Sequence, residues 1–119
     1  LALLEGVEST ISASQLSELQ KLIPKEELLT GAALCEKYGG DKWYAHRTPD
    51  AVVMARSAGT VSEVLKFANR HGIPVTPRGA GYGYVGGCVP VQGGIVLSVE
   101  KMNRILEIST ADFIARVQP

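Results

Sequence analysis

Between Pro74 and Gly94 the chain cannot continue as a helix. The stretch holds three prolines, and five glycines fall within the nine residues 79–87. Proline lacks the N–H donor and fixes φ, and each glycine costs about 1 kcal/mol relative to alanine inside a helix. What fits is a strand, a loop and another strand. Pro74-Val-Thr-Pro77 is extended, and Ile95-Val-Leu-Ser-Val99 is an apolar, β-branched run. The loop between them, opened by Arg78, lets a ligand approach the main chain closely. Successive N–H groups in such a turn form an anion-binding concavity, and Arg78 adds a fixed positive charge. The chemistry indicated is capture of a phosphate or pyrophosphate. The candidate residues are Pro77, Arg78, Gly79, Ala80, Gly81, Tyr82, Gly83, Gly86 and Gly87, with the N–H groups of 79–83 at the centre.

Two familiar phosphate motifs are excluded. Gly81-x-Gly83-x-x-Gly86 has dinucleotide-fingerprint spacing, but that fingerprint must open a helix. Here Pro90, Gly93 and Gly94 follow. No Gly-Lys-Ser/Thr ends the loop, so it is not a Walker A loop either. The remaining bland reading is a glycine turn joining two strands; Arg78 and the stiff Pro74–Pro77 frame favour a ligand.

The chain has 119 residues and a formal net charge of zero, the size of one small domain or a piece of a larger one. No basic run suggests nucleic acid, and no apolar run approaches membrane-spanning length. The start lacks a signal-peptide pattern and an initiator Met, and the end follows directly on a strand-like run, so truncation within a fold is expected. Cys35 and Cys88 have no metal-type spacing; reduced thiols in a cytoplasmic protein are the default.

Ser12-Ala-Ser-Gln15 is a capping-box pattern opening a helix that Pro24 stops. Thr30 is placed as the cap of a short helix running to Lys37, and 41–49 as irregular chain holding Trp43, Tyr44, His46 and Arg47. Residues 51–55 predict a strand, and Thr60-Val-Ser-Glu63 a second capping box. Gly72 is placed at the helix end, and 74–77 as the next strand. Residues 51–77 therefore form a parallel β-α-β unit with a right-handed crossover, and the glycine loop leaves the carboxyl end of a strand, where α/β sites lie. Residues 95–99, 105–109 and 113–118 follow as meander strands, with a hairpin connection at 109–112. The class is α+β, with an amino-terminal helical segment at 1–29 and the main unit at 30–119.

Together, Gly72-Ile-Pro-Val-Thr-Pro-Arg-Gly-Ala-Gly81, Gly86-Gly87, Val89-Pro-Val91, Gly93-Gly-Ile-Val-Leu97 and Met102-Asn-Arg-Ile-Leu-Glu-Ile108 resemble the FAD-binding domain of the vanillyl-alcohol oxidase and p-cresol methylhydroxylase flavoproteins. Within that group the pattern is most similar to the glycolate oxidase FAD subunit and the D-lactate dehydrogenases. Tyr38-Gly-Gly-Asp41, Pro49-Asp-Ala-Val-Val53 and Thr60-Val-Ser-Glu-Val64 fit earlier family segments, so the resemblance spans about 30–119. It implies the first subdomain of a PCMH-type FAD-binding domain, from an FAD-linked oxidase or dehydrogenase of a small 2-hydroxy acid. Partner subunits or an external electron acceptor go with that activity. The second subdomain, the substrate cap and the catalytic residues are implied beyond Pro119, so no residue here is assigned a catalytic or metal-binding role. The alternative is a non-catalytic phosphate- or nucleotide-binding module.

The family commonly has Thr at the position of Tyr82 and Ser at that of Val85, hydroxyls that help hold phosphate, so the backbone must carry more here. Covalent relatives place a flavin-linking His at the position of Tyr82, which implies non-covalent FAD, weakly held by this chain alone. Arg78 has two readings open to it: bonding a pyrophosphate or bracing the loop, which is favoured, or simply pairing with a carboxylate beside the loop. Tyr82 and Tyr84 are placed either on the ligand or across the loop. Trp43, Cys35 and Cys88 are taken as packing residues, with no cation evident in sequence near Cys88. His71 is taken as structural, and His46 is left unassigned.

Overall fold

A computed structural model describes residues 9–119. Its main sheet has four strands in the order β1-β2-β4-β3. Strands β2 (Ala51–Met54), β3 (Val75–Arg78) and β4 (Ile95–Ser98) are parallel, and β1 (Leu28–Thr30) adds antiparallel to β2. The expected β-α-β unit is present, with helix α3 (Ala58–His71) between β2 and β3. Its two strands are not neighbours, however. β4 lies between them and pairs with both. Residues 95–99 were expected to begin a meander; they supply the centre of the sheet. Every residue of Ile95–Ser98 is buried, as a strand covered on both faces requires. The meander is confined to a separate antiparallel hairpin, β5 (Ile105–Ser109) and β6 (Ile114–Val117). The architecture remains α+β.

Side chains alternate across the sheet. Ala51, Val53, Ile95 and Leu97 face a core with Leu19 and Ile23 of the first helical region and Val64 and Phe67 of α3. Val52, Met54 and Val96 face the other side, against Cys35 and Tyr38. Helix α1 (Ala13–Leu22) starts with the expected capping box: the Gln15 N–H donates to Ser12 Oγ at 3.2 Å, and the Ser12 N–H donates to Gln15 Oε1 at 2.9 Å.

Two local expectations are corrected. α3 is capped by Ser57, whose Oγ accepts the Thr60 N–H at 3.2 Å, so Thr60 lies inside the helix and is buried. Starting the helix three residues earlier gives an acceptor to an N–H that is otherwise orphaned, and Glu63 is left to pair with Lys66 at 3.1 Å. Thr30 does not cap a helix. It ends β1, opposite Ala51, and the following helix is a single turn, α2 (Ala32–Cys35). Leu28-Leu29-Thr30 reads as too short for a strand on its own, yet pairing with it satisfies the free edge of β2. Gly72 ends α3 at φ +65°, as expected.

Asp50, just before β2, fastens the amino-terminal segment to the sheet. Its Oδ2 accepts from the Gly94 N–H at 2.8 Å, the Thr10 N–H at 3.1 Å and the Thr10 hydroxyl at 2.8 Å. Burial raises its pKa, but the bonds from Gly94 and Thr10 outweigh that, and the carboxyl is held below its ordinary value. Among the described residues, no helix is long and apolar enough to cross a membrane.

Replacing Asp50 with Ala strands three donors at the base of β4 and should lower stability by about 2–3 kcal/mol, read by urea unfolding. Because the folded-state pKa is depressed, this stabilisation is complete well above about pH 4 and fades as pH falls through the folded value. Asp50→Asn should flatten that acid limb of the stability curve; an unchanged limb assigns the acid sensitivity to other groups.

Candidate functional site

The glycine loop leaves the carboxyl end of β3 and lines a cavity of about 360 Å³ with Pro77, Gly79, Ala80, Gly81, Tyr82, Gly83, Val85, Gly87 and Cys88. Arg78 and Gly86 are the two candidate residues outside that lining. Asp41 closes the cavity from the other side. Among the described residues, no main-chain N–H from Gly79 to Cys88 donates to a protein acceptor. The loop therefore presents a run of unused donors on mostly exposed residues. Ordinary loops turn many of these groups inward; an anion is the ligand that matches them.

Arg78 is the last residue of β3, and it is not among the residues lining the cavity. Nη1 donates to the Gly40 carbonyl and lies 3.4 Å from Cys88 Sγ, while the guanidinium carbon stands 5.6 Å from the Tyr38 ring centroid. Among the described residues Arg78 pairs with no carboxylate; its Nη1 ties the end of β3 to the Gly40 carbonyl instead. The guanidinium passes directly beneath Gly81, which has φ +77°; a Cβ there would collide with Arg78 Nη2. Glycine is favoured here by conformation, and any Cβ would also push the Arg78 guanidinium aside. Cys88 does have a cation beside it, which its sequence neighbours did not reveal.

The opposite wall is the irregular segment 38–47, held locally by a bridge between Gly40 and His46. The Lys42 N–H donates to the Gly83 carbonyl at 2.9 Å, tying the two loops together. Trp43 packs under Gly86, where φ is +76° and a Cβ would strike the indole ring. Asp41 Oδ1 accepts the Trp43 N–H at 2.8 Å. Its Oδ2 is buried without a hydrogen-bond partner among the described residues, facing Gly83. Tyr82 and Tyr84 do not pack across the loop; both are exposed, and Lys42 Nζ stands 5.0 Å from the Tyr82 ring centroid.

The remaining candidates lie apart. His46 Nε2 bonds the Glu36 carbonyl at 2.8 Å, and His71 Nε2 pairs with Glu18 Oε2 at 2.9 Å. Cys35 is buried in the core, and burial pushes its thiol above the ordinary value. Among the described residues no cluster of His, Cys, Asp and Glu could hold a metal ion. Sequence reasoning missed the contribution of Gly40, Asp41 and Lys42. The one signal was Tyr38-Gly-Gly-Asp41, a break that brings a carbonyl and a carboxylate to one point.

The profile of the FAD binding domain family matches residues 49–119. A D-lactate dehydrogenase of Anaerostipes hadrus is 34% identical over 110 residues, which is 91% of this chain and 23% of that protein. A glycolate oxidase subunit of Bacillus subtilis is 42% identical over 71 residues, 60% of this chain and 15% of that protein. The fold matches p-cresol methylhydroxylase with substrate bound, at a TM-score of 0.68 and 22% identity, over 83% of this chain and 21% of that one. The chain thus spans a quarter or less of the length of these proteins.

Gly81→Val should abolish FAD retention by the whole protein while leaving the far-UV circular dichroism unchanged. The substitution collides with Arg78 and forces a β-branched residue to φ +77°. Flavin content equal to that of the unaltered protein would remove the loop from the cofactor site.

Proposed function

Because this chain belongs to the FAD binding domain family, we propose that residues 77–87 hold the diphosphate of FAD. We further propose that the whole protein is an FAD-linked oxidoreductase of a small 2-hydroxy acid such as glycolate or D-lactate. The observation that carries the reading is the row of unused N–H groups over a glycine-lined cavity at the carboxyl edge of parallel strands. In this reading residues 30–119 are the first half of the FAD domain, and 1–29 are an amino-terminal segment ahead of it.

Bound FAD supplies the two-electron acceptor; this chain binds and orients it. The main-chain donors of Gly79–Gly83 meet the diphosphate oxygens, and Arg78 keeps the loop in shape from behind. Tyr82 and Val85 offer little in place of the missing Thr and aliphatic-position Ser, so the backbone dominates. The substrate class is supported by the names of the similar relatives, a D-lactate dehydrogenase and a glycolate oxidase subunit. An external acceptor or a partner subunit must take the electrons on. Two free thiols, Cys35 and Cys88, favour a reducing compartment, the cytoplasm. The cofactor is held non-covalently through this segment: Tyr82 excludes a histidyl link at its position, and neither His46 nor His71 lines the cavity.

Anaerobic mixing of the whole protein with glycolate or D-lactate should bleach the flavin absorption band. Acid precipitation should then leave the flavin in the supernatant. FAD bound but never reduced by any 2-hydroxy acid would instead favour a non-catalytic nucleotide module. The 119-residue chain alone should bind FAD no better than roughly millimolar by calorimetry, since one phosphate loop offers few contacts against the entropic cost of association. Micromolar binding would mean that this chain carries most of the site.

A further inference from the structure

A diphosphate needs a counter-charge, and the obvious cation is committed elsewhere. Arg78 is spent on the Gly40 carbonyl, Cys88 and the Tyr38 face. Asp41 makes the deficit worse, because its carboxylate lines the cavity with Oδ2 unpartnered among the described residues. Among the described residues a second cation placed against the loop is Lys42, next to the cavity-lining Asp41 and, like Arg78, itself outside the lining. Its main-chain N–H is fixed to the Gly83 carbonyl at 2.9 Å, and its Nζ stands 5.0 Å from the centroid of the Tyr82 ring. That distance is within cation–π range. Among the described residues no carboxylate pairs with Lys42. Tyr82 itself lines the cavity and is 69% exposed.

We propose that Lys42 is the cation that meets the diphosphate of FAD, and that Tyr82 is its positioning residue, holding the ammonium at the lip of the loop. The inference rests on the cofactor reading above and adds to it a residue from outside the glycine loop. It also gives Tyr82 a purpose. A threonine hydroxyl at that position would donate one neutral hydrogen bond; the tyrosine ring instead recruits a full charge. Lys42 is exposed, so its free ammonium keeps much of its hydration and can approach an anion without a large desolvation cost.

The test is FAD titration into the apo form of the whole protein, followed by flavin fluorescence, at low and high KCl. Lys42→Gln should weaken FAD binding about tenfold at low salt, the scale of one charge-assisted contact. The difference should shrink at about 0.5 M KCl, where screening falls to a few ångströms. Lys42→Arg should restore both the affinity and its salt dependence. Tyr82→Leu should reproduce part of the loss, and adding it to Lys42→Gln should cost little more, because the ring acts through the ammonium. The Lys42 main-chain bond to Gly83 survives every one of these changes, so a thermal midpoint near that of the unaltered protein is expected. Equal affinity and equal salt dependence in Lys42→Gln overturn the proposal while leaving the cofactor reading intact. Failure of the unaltered protein to bind FAD at all overturns the cofactor reading, and this inference with it.

Discussion

Strand β4 fixes the position of everything else. It is buried along its whole length and lies parallel to both neighbours, so the chain leaving β3 at Arg78 must travel back before entering at Ile95. Parallel neighbours are usually joined by a helix that makes this return trip. Here the return is residues 79–94, without a helix or strand of its own. The irregular path leaves its first half at the carboxyl edge of the sheet, with main-chain donors that bond no described protein acceptor. Its second half is tied down at the opposite edge. There the Asp50 and Ala51 N–H groups donate to the Gly94 carbonyl at 2.9 and 3.3 Å, and the Ile95 N–H donates to that of Pro74 at 2.9 Å. Gly94, at φ +76°, has no room for a Cβ against the Pro74 carbonyl. The site at one end of the sheet thus depends on a knot of main chain at the other.

How much of this could be read beforehand follows the kind of signal involved. Local chemistry was legible: the Ser12–Gln15 box, Gly72 at the end of α3, and the loop between a Pro-framed strand and Ile95-Val-Leu-Ser. Strand order was not. An apolar run shows that both faces of β4 are covered, but not that it inserts between β2 and β3, because that depends on pairing partners far apart in sequence. β1 was invisible for a related reason, since three residues gain strand geometry only from β2. Ser57 lost out to Thr60 because both offer a hydroxyl three residues ahead of a helical N–H, and packing of Thr60 into the core decides between them. At the site, the glycine loop announced itself while its wall did not. Gly40, Asp41 and Lys42 act through one carbonyl, one carboxylate and one N–H, and such contacts leave no periodic trace.

The wall and the loop together favour a site that works by shape before charge. A flexible glycine loop must lose backbone entropy when it closes on an anion, about 1–2 kcal/mol for each residue fixed. Much of that ordering comes from side chains and main chain that hold the loop from its flanks. Arg78 runs beneath Gly81, Trp43 beneath Gly86, and Lys42 clamps Gly83, so three points along the loop are held by groups outside it. Using the guanidinium for this purpose removes it from the ligand's reach, yet the exchange is favourable. One charge-assisted contact at a partly exposed site is worth about 1–1.5 kcal/mol, less than the entropy of even a few ordered residues. If the loop holds the diphosphate as proposed, N–H dipoles ordered in advance would meet it with little reorganisation. A loop built in this way tolerates the loss of side-chain hydroxyls at Tyr82 and Val85 and does not tolerate a side chain at Gly81, because its specificity lies in the path of the backbone.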